Sequence, residues 1–210
     1  MKLIIATPSP FARKARVALR EKNVPFEEII DVPWNKNTIT KGLNPLGKIP
    51  ILLEDEGQSF FDSRIIVQYL DIKFPTALMY PQNPEENLNA RIIETAADGL
   101  CDAVVLNFLE YARTTDLRSQ DWIDRQQRKI AEATHFLSNR LEDRLHFVGN
   151  HITIADVGGF SSLEYLDLRY PELDWRSAYP NLTRFWEHHK DRPSFLTTQP
   201  TAQTIEPLAR

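Results

Sequence analysis

Ser9 stands where residue types and spacing set up chemistry. A short apolar run, Leu3 to Ala6, has the length of a strand. Thr7-Pro8 breaks it, and Ser9-Pro10 opens a helix. Serine is a favoured N-cap, and proline suits the first helical position, where its missing N–H would be unpaired anyway. Ala12, Ala15, Ala18 and Leu19 recur at helical spacing, with Arg13, Arg16 and Arg20 on the polar side. A hydroxyl therefore sits at a helix N-terminus, where unpaired N–H groups and partial positive charge favour an anion such as a thiolate. Capping alone also accounts for a serine in this place.

The elements that must position this hydroxyl follow in order. Lys22-Asn-Val-Pro25 stops the first helix, and Phe26 to Ile30 reads as a second strand. Residues 31 to 47 form a polar loop with Pro33, Gly42, Pro45 and Gly47, holding at most a short helix. Lys48-Ile-Pro-Ile-Leu-Leu53 is a third strand, with a proline at its opening. Glu54-Asp-Glu-Gly57 is a turn, and Ser59 to Phe61 a short fourth strand. Asp62-Ser63 starts a helix with an apolar face of Ile65, Ile66, Tyr69, Leu70 and Phe74. A right-handed first crossover makes strands one and two parallel, and the short turn makes three and four a hairpin. The expectation is a four-stranded mixed sheet covered by helices.

Three prolines between Pro75 and Pro84 mark a linker, and everything beyond it is helical in pattern. The expected division is an α/β domain over 1–75, a linker over 76–84 and an all-α helix bundle over 85–210. Apolar residues at 88, 92, 96, 100, 103 and 106 set one long helix; Ile123, Ile130, Ala133, Leu137 and Leu141 set the next. Thr153 and Asp156 have capping-box spacing, with Ile152 and Val157 placed as a hydrophobic staple. The helix after them carries few charges and a Gly158-Gly159 pair, so it should be the central buried one. The tail from Thr197 either packs over the bundle or stays loose.

Composition narrows the partners. The chain has 210 residues, 42% hydrophobic and 26% charged, with a formal charge of −4. That balance argues against nucleic acid or an anionic membrane as the main partner. One cysteine excludes an internal disulfide framework and fits a cytoplasmic location. Cys101 reads as a small buried filler. His188-His189 lack metal-ligand spacing and read as surface residues, so no metal is expected.

Five segments together resemble the cytosolic glutathione transferases, serine-type, close to the plant tau class and small bacterial members. Ser9-Pro-Phe-Ala-Arg-Lys-Ala-Arg-Val-Ala-Leu resembles the active-site segment. Asn44-Pro-Leu-Gly-Lys-Ile-Pro50 resembles the loop whose proline is cis in that family. Asp62-Ser63-x-x-Ile66 is similar to its Glu/Asp-Ser-x-x-Ile motif. Phe147-x-Gly-x-x-x-Thr-x-Ala-Asp156 and Pro180-x-Leu182 with Arg192-Pro-Ser-Phe195 resemble its C-terminal motifs.

The resemblance implies a thioredoxin-like first domain that binds glutathione as co-substrate, and a helical second domain that forms the electrophile site. It implies a detoxifying transferase, working as a homodimer on small electrophiles. Ser9 would donate to the thiolate, and Ile49 beside Pro50 would pair its backbone with the cysteinyl part. Ser63 and Asp62 would hold the γ-glutamyl end, Lys48 and Lys36 would offer charge to the glycine carboxylate, and Phe11 and Trp34 would line the pocket. Phe11, Asn107 and Tyr111 are candidates for the second-substrate pocket. Asp98 and Asp102, one turn apart, either face the cleft or form a solvated face, and the solvated face is preferred. Peroxidase, disulfide reductase or dehalogenase activity on the same site, or a non-catalytic scaffold, are the alternatives.

Overall fold

Leu3, Ile4 and Ile5 are at most 1% exposed because β1 (Lys2–Ile5) is an inner strand, paired on both edges. The computed structural model describes residues 1–204. β1 is followed by α1 (Pro10–Glu21) and β2 (Glu27–Ile30), then β3 (Ile51–Leu53), β4 (Ser59–Phe60) and α2 (Ser63–Lys73). The strand order is β2-β1-β3-β4. β2 runs parallel to β1, as the crossover rule predicts, and β3 and β4 are each antiparallel to their neighbour. The four-stranded mixed sheet is therefore the expected one.

α1 buries Ala12, Ala15, Val17, Ala18 and Leu19, and α2 buries Ile66, Val67 and Leu70. Ile65, expected on the apolar face of α2, is 47% exposed; Val67 takes its place in the stripe. Lys14 is buried as well, and so is Arg13, against its expected place on the polar side. The reason is the end of the chain. α8 (Pro193–Leu196) packs on α1, and Arg13 donates to the Phe195 carbonyl oxygen (3.1 Å) and Thr198 Oγ1 (3.3 Å). Arg192 makes a two-pronged contact with Glu21 at 2.6 Å.

The chain divides into two compact units, Met1–Tyr80 with the segment from Arg192, and Pro81–Asp191. The C-terminal segment thus departs from the expected 85–210 helical domain, held to the first unit by α1's arginines. The stretch expected as linker also belongs to that unit as far as Tyr80. Buried Lys22 explains this: its Nζ donates to the carbonyl oxygens of Phe74 (2.8 Å), Thr76 (3.0 Å) and Ala77 (3.1 Å) and pairs with Asp71 at 2.8 Å. Asp71 in turn accepts from the Met79 and Tyr80 N–H groups at 3.0 and 2.9 Å. Lys22→Met should lower stability by about 2 kcal/mol, since several acceptors lose a charged donor while water reaches the nearby surface carbonyls. The midpoint of denaturant unfolding measures it.

The second unit contains α3 (Pro84–Tyr111), α4 (Gln120–Leu141), α5 (Ile154–Arg169), α6 (Trp175–Ala178) and α7 (Pro180–His189). α3 packs on both α4 and α5. Of its expected apolar stripe, Leu100 and Ala103 are buried, but Leu88, Ile92 and Leu106 are exposed, and Ala90, Ile93, Ala97, Cys101 and Val104 complete the inner face instead. α5 is buried from Ile154 to Leu166, as expected for the central helix. A Cβ on Gly159 would lie 2.5 Å from the Phe147 ring, whereas one on Gly158 would meet Ala97 Cβ at 3.4 Å. Gly159→Ala should therefore cost about 1–3 kcal/mol through overpacking. Gly158→Ala should be near neutral, the tighter contact being offset by helix propensity. Thermal midpoints of the two variants separate them.

Candidate active site

Register decides which loops meet. Ile4 pairs Ile51 in antiparallel sense, so the chain leaving β1 toward Ser9 lies beside the chain entering β3 from Pro50. Leu52 pairs Phe60, so β4 leaves toward Asp62 at that same end. Ile5 pairs Ile30 in parallel, which brings the start of the 31–47 loop, carrying Trp34 and Lys36, to this end too. One end of the sheet thus collects Ser9, Phe11, Lys48, Ile49, Pro50, Asp62 and Ser63, with the Trp34–Lys36 loop opening from it.

Ser9 is the N-cap of α1, and its Oγ accepts from the Ala12 N–H at 3.1 Å. A hydroxyl that accepts one bond still has its own hydrogen to donate. Capping and donation are therefore compatible roles for one side chain. Ser9 and Phe11 are half-buried. The C-terminal segment reaches this turn: Thr7 Oγ1 donates to the Thr201 carbonyl oxygen (3.0 Å), and the Thr7 N–H to Gln203 Oε1 (3.3 Å).

The loop before β3 is built by Asn44. Its Oδ1 accepts from the Leu46 N–H (2.9 Å), its Nδ2 donates to the Lys48 carbonyl oxygen (2.8 Å), and Gly47 supplies the positive φ of +61° that closes the turn. This delivers Ile49 and Pro50, joined by a cis bond, to the edge of β3. Lys48 is exposed, Ile49 half-buried and Pro50 buried. Asp31 organises the preceding loop, its Oδ2 accepting from the hydroxyls of Thr38 and Thr40 at 2.5 Å each. Trp34 and Lys36 are exposed on that loop.

Asp62 caps α2, accepting from the Arg64 N–H at 3.0 Å, and Ser63 is buried at the first helical position. Two helix N-termini therefore open at one end of one sheet. Each favours negative charge, which suits a ligand carrying two anionic groups.

The remaining candidates lie in the second unit. Asn107 is fully buried and its Nδ2 donates to the Tyr170 hydroxyl at 2.7 Å, while Tyr111 is exposed. Asp98 is buried, against the preferred solvated face, because it shares the inward stripe of α3 with Ala97 and Cys101; Asp102 is exposed. Cys101 is buried, in keeping with a filler. His188 is exposed, but His189 is only 2% exposed, which corrects its reading as a surface residue. α7 turns it inward, where it meets the Phe185 ring. Burial lowers its pKa to about 4, so the ring is neutral at neutral pH.

A mixed sheet flanked by helices, followed by a helical unit, defines a thioredoxin-like fold with an appended helix bundle. Residues 8–72 match the family described as glutathione S-transferase, N-terminal domain, and residues 120–187 match its C-terminal domain. A relative in Escherichia coli (strain K12), described as the uncharacterized GST-like protein YibF, is 34% identical over 200 residues, 95% of this chain and 98% of its own. A solved glutathione S-transferase from Methylobacterium radiotolerans, in complex with glutathione sulfonate, has a TM-score of 0.95 and 44% identity, covering 98% of this chain and 97% of that one. Another, from Methylobacillus flagellatus with GSH bound, has a TM-score of 0.92 and 36% identity, covering 95% and 99%. The chain belongs to the glutathione S-transferase family. Among its described residues no helix is long and apolar enough to cross a membrane.

Proposed function

We propose that this protein is a glutathione transferase, which holds glutathione at the open end of the first unit's sheet and activates its thiol as the thiolate for attack on small electrophiles. The observation that carries the reading is the convergence of Ser9, Ile49–Pro50 and Asp62–Ser63 on that end. Family members at 36% and 44% identity are described as bound to glutathione or its sulfonate, which supports the same ligand here. The ligand has a thiol and carboxylates, and the site offers two helix N-termini.

Ser9 donates its hydroxyl hydrogen to the sulfur while its oxygen keeps the Ala12 N–H. The Ile49 backbone pairs with the cysteinyl part as an added strand on the sheet edge. Ser63 and the first-turn N–H groups of α2 take the γ-glutamyl carboxylate, and Asp62 takes the amine. Lys48 and Lys36 offer charge to the glycine carboxylate, with Trp34 beside them; Phe11 faces the sulfur side. A thiol titrates near 8.5, so lowering it by about two units requires about 2.7 kcal/mol favouring the thiolate. One hydrogen bond to the charged form contributes about 1.5–3 kcal/mol and the helix end about 0.3–2. Together they suffice.

Retention on immobilised glutathione, followed by turnover of an activated chloroarene, tests the reading. Failure to be retained overturns it. Retention with no turnover of chloroarene, peroxide, disulfide or haloalkane leaves a glutathione-binding scaffold instead. Peroxidase and dehalogenase chemistry would draw on the same activated sulfur. We assign the chain to a cytoplasmic homodimer, which light scattering checks as a mass of two chains.

A further inference from the structure

We propose that His146, His188 and His189 form a binding site for one divalent ion of the zinc type, in the second unit and apart from the glutathione site. One ring nitrogen from each lies within 4.8 Å of the others. The three rings stand edge-on to one another, with centroid separations of 5.9 Å (His146–His188), 5.0 Å (His146–His189) and 4.7 Å (His188–His189). Adjacent histidines on a helix make no chelating pair by spacing; the third ring comes from the segment joining α4 to α5.

Metal-bound histidines usually donate their other ring N–H to a carbonyl or carboxylate; one ring here already has such a partner, and a second has a carboxylate near it. His189 Nε2 lies 2.9 Å from the Leu145 carbonyl oxygen. A carbonyl can only accept, so Nε2 carries the proton of the neutral ring and Nδ1 carries the lone pair. His146 Nδ1 is a buried atom with no hydrogen-bond partner among the described residues, 3.8 Å from Asp156 Oδ1. An ion on His146 Nε2 places the ring's proton on Nδ1, and the gap to Asp156 can then close into a hydrogen bond. Ring packing alone gives that atom no partner.

Neutral imidazoles suit zinc, copper, nickel and iron. Tetrahedral zinc, with Zn–N of about 2.0–2.1 Å, sets its ligand nitrogens about 3.3 Å apart. Closing from within 4.8 Å to that spacing takes small rotations of the rings, of which the exposed His188 is the most free to move, and its solvent side leaves a fourth position for water. The bound ion would tie the last turn of α7 to the segment before α5.

Protein stripped with a chelator is titrated with cobalt(II) near neutral pH. The expected result is saturation at one ion per chain, with the visible bands of four-coordinate cobalt, and displacement by zinc. His188→Ala removes an exposed ligand and should weaken binding at least about tenfold. His146→Ala should do the same, and His135→Ala, an exposed histidine on α4, should change nothing. Zinc should also raise the unfolding midpoint of the parent protein but not of His188→Ala. Absence of saturable binding, or equal affinity in the parent and His188→Ala, overturns the proposal.

Discussion

Replacing Ser9 with glycine should raise the pKa of bound glutathione's thiol by about one to two units and slow conjugation near neutral pH about a hundredfold. The first figure is a lost hydrogen bond to a charged acceptor, about 1.5–3 kcal/mol, at about 1.36 kcal/mol per unit. The second is the usual cost of removing one preorganised donor from a developing or standing anion. The choice of glycine matters. Ser9 Oγ also accepts from the Ala12 N–H at 3.1 Å, so alanine would remove the cap of α1 together with the donor. Alanine at an N-cap costs about 0.5–2 kcal/mol, whereas glycine costs only a few tenths. Glycine therefore separates catalysis from folding. Ser9→Thr restores both bonds and should recover most of the activity. The readout is thiolate absorbance of the saturated complex against pH. An unchanged curve would take Ser9 out of the mechanism and leave the helix end alone to stabilise the sulfur.

The sequence was most legible where structure is local. β1 to α2 are short apolar runs divided by Pro, Gly and Asn, each break having a mechanism, and antiparallel closure then brings Pro50 and Asp62 to Ser9's end of the sheet. The capping box at Thr153 was readable for the same reason. What failed was long-range. Arg13 sits on a polar stripe by period, and only a segment about 180 residues later turns that stripe into buried surface. Along α3, Leu88, Ile92 and Leu106 point outward although Leu100 points inward, because close packing against two helices favours alanines and Cys101 beside it on the inner face. His189 looked like half of a surface pair because the histidine it faces is 43 residues upstream. Lys22 read as part of a stop signal, and its role as an anchor depends on carbonyls more than 50 residues away.

Asp156→Ala should cost about 3–5 kcal/mol, the largest loss of stability expected from a single side chain outside the glutathione site. The carboxylate is fully buried and accepts from the Phe147 N–H (2.8 Å), the Thr153 N–H (2.8 Å) and Thr153 Oγ1 (2.9 Å). Removing it strands two backbone donors where water has no ready access, and the cap of the central helix goes with them. At about 2–4 °C per kcal/mol for a chain of this size, the thermal midpoint should fall by about 6–20 °C. Asp156→Asn decides what kind of interaction is lost. Its one oxygen can serve Phe147 or Thr153 but not both, and its amide nitrogen must face a donor. An intermediate fall would locate the stabilisation in the number of acceptors; a fall equal to alanine's would locate it in the charge. Because the same Phe147 ring lies against Gly159, Asp156→Ala combined with Gly159→Ala should lose less than the two single losses added together. Strict additivity would mean that the carboxylate does not fix where Phe147 sits.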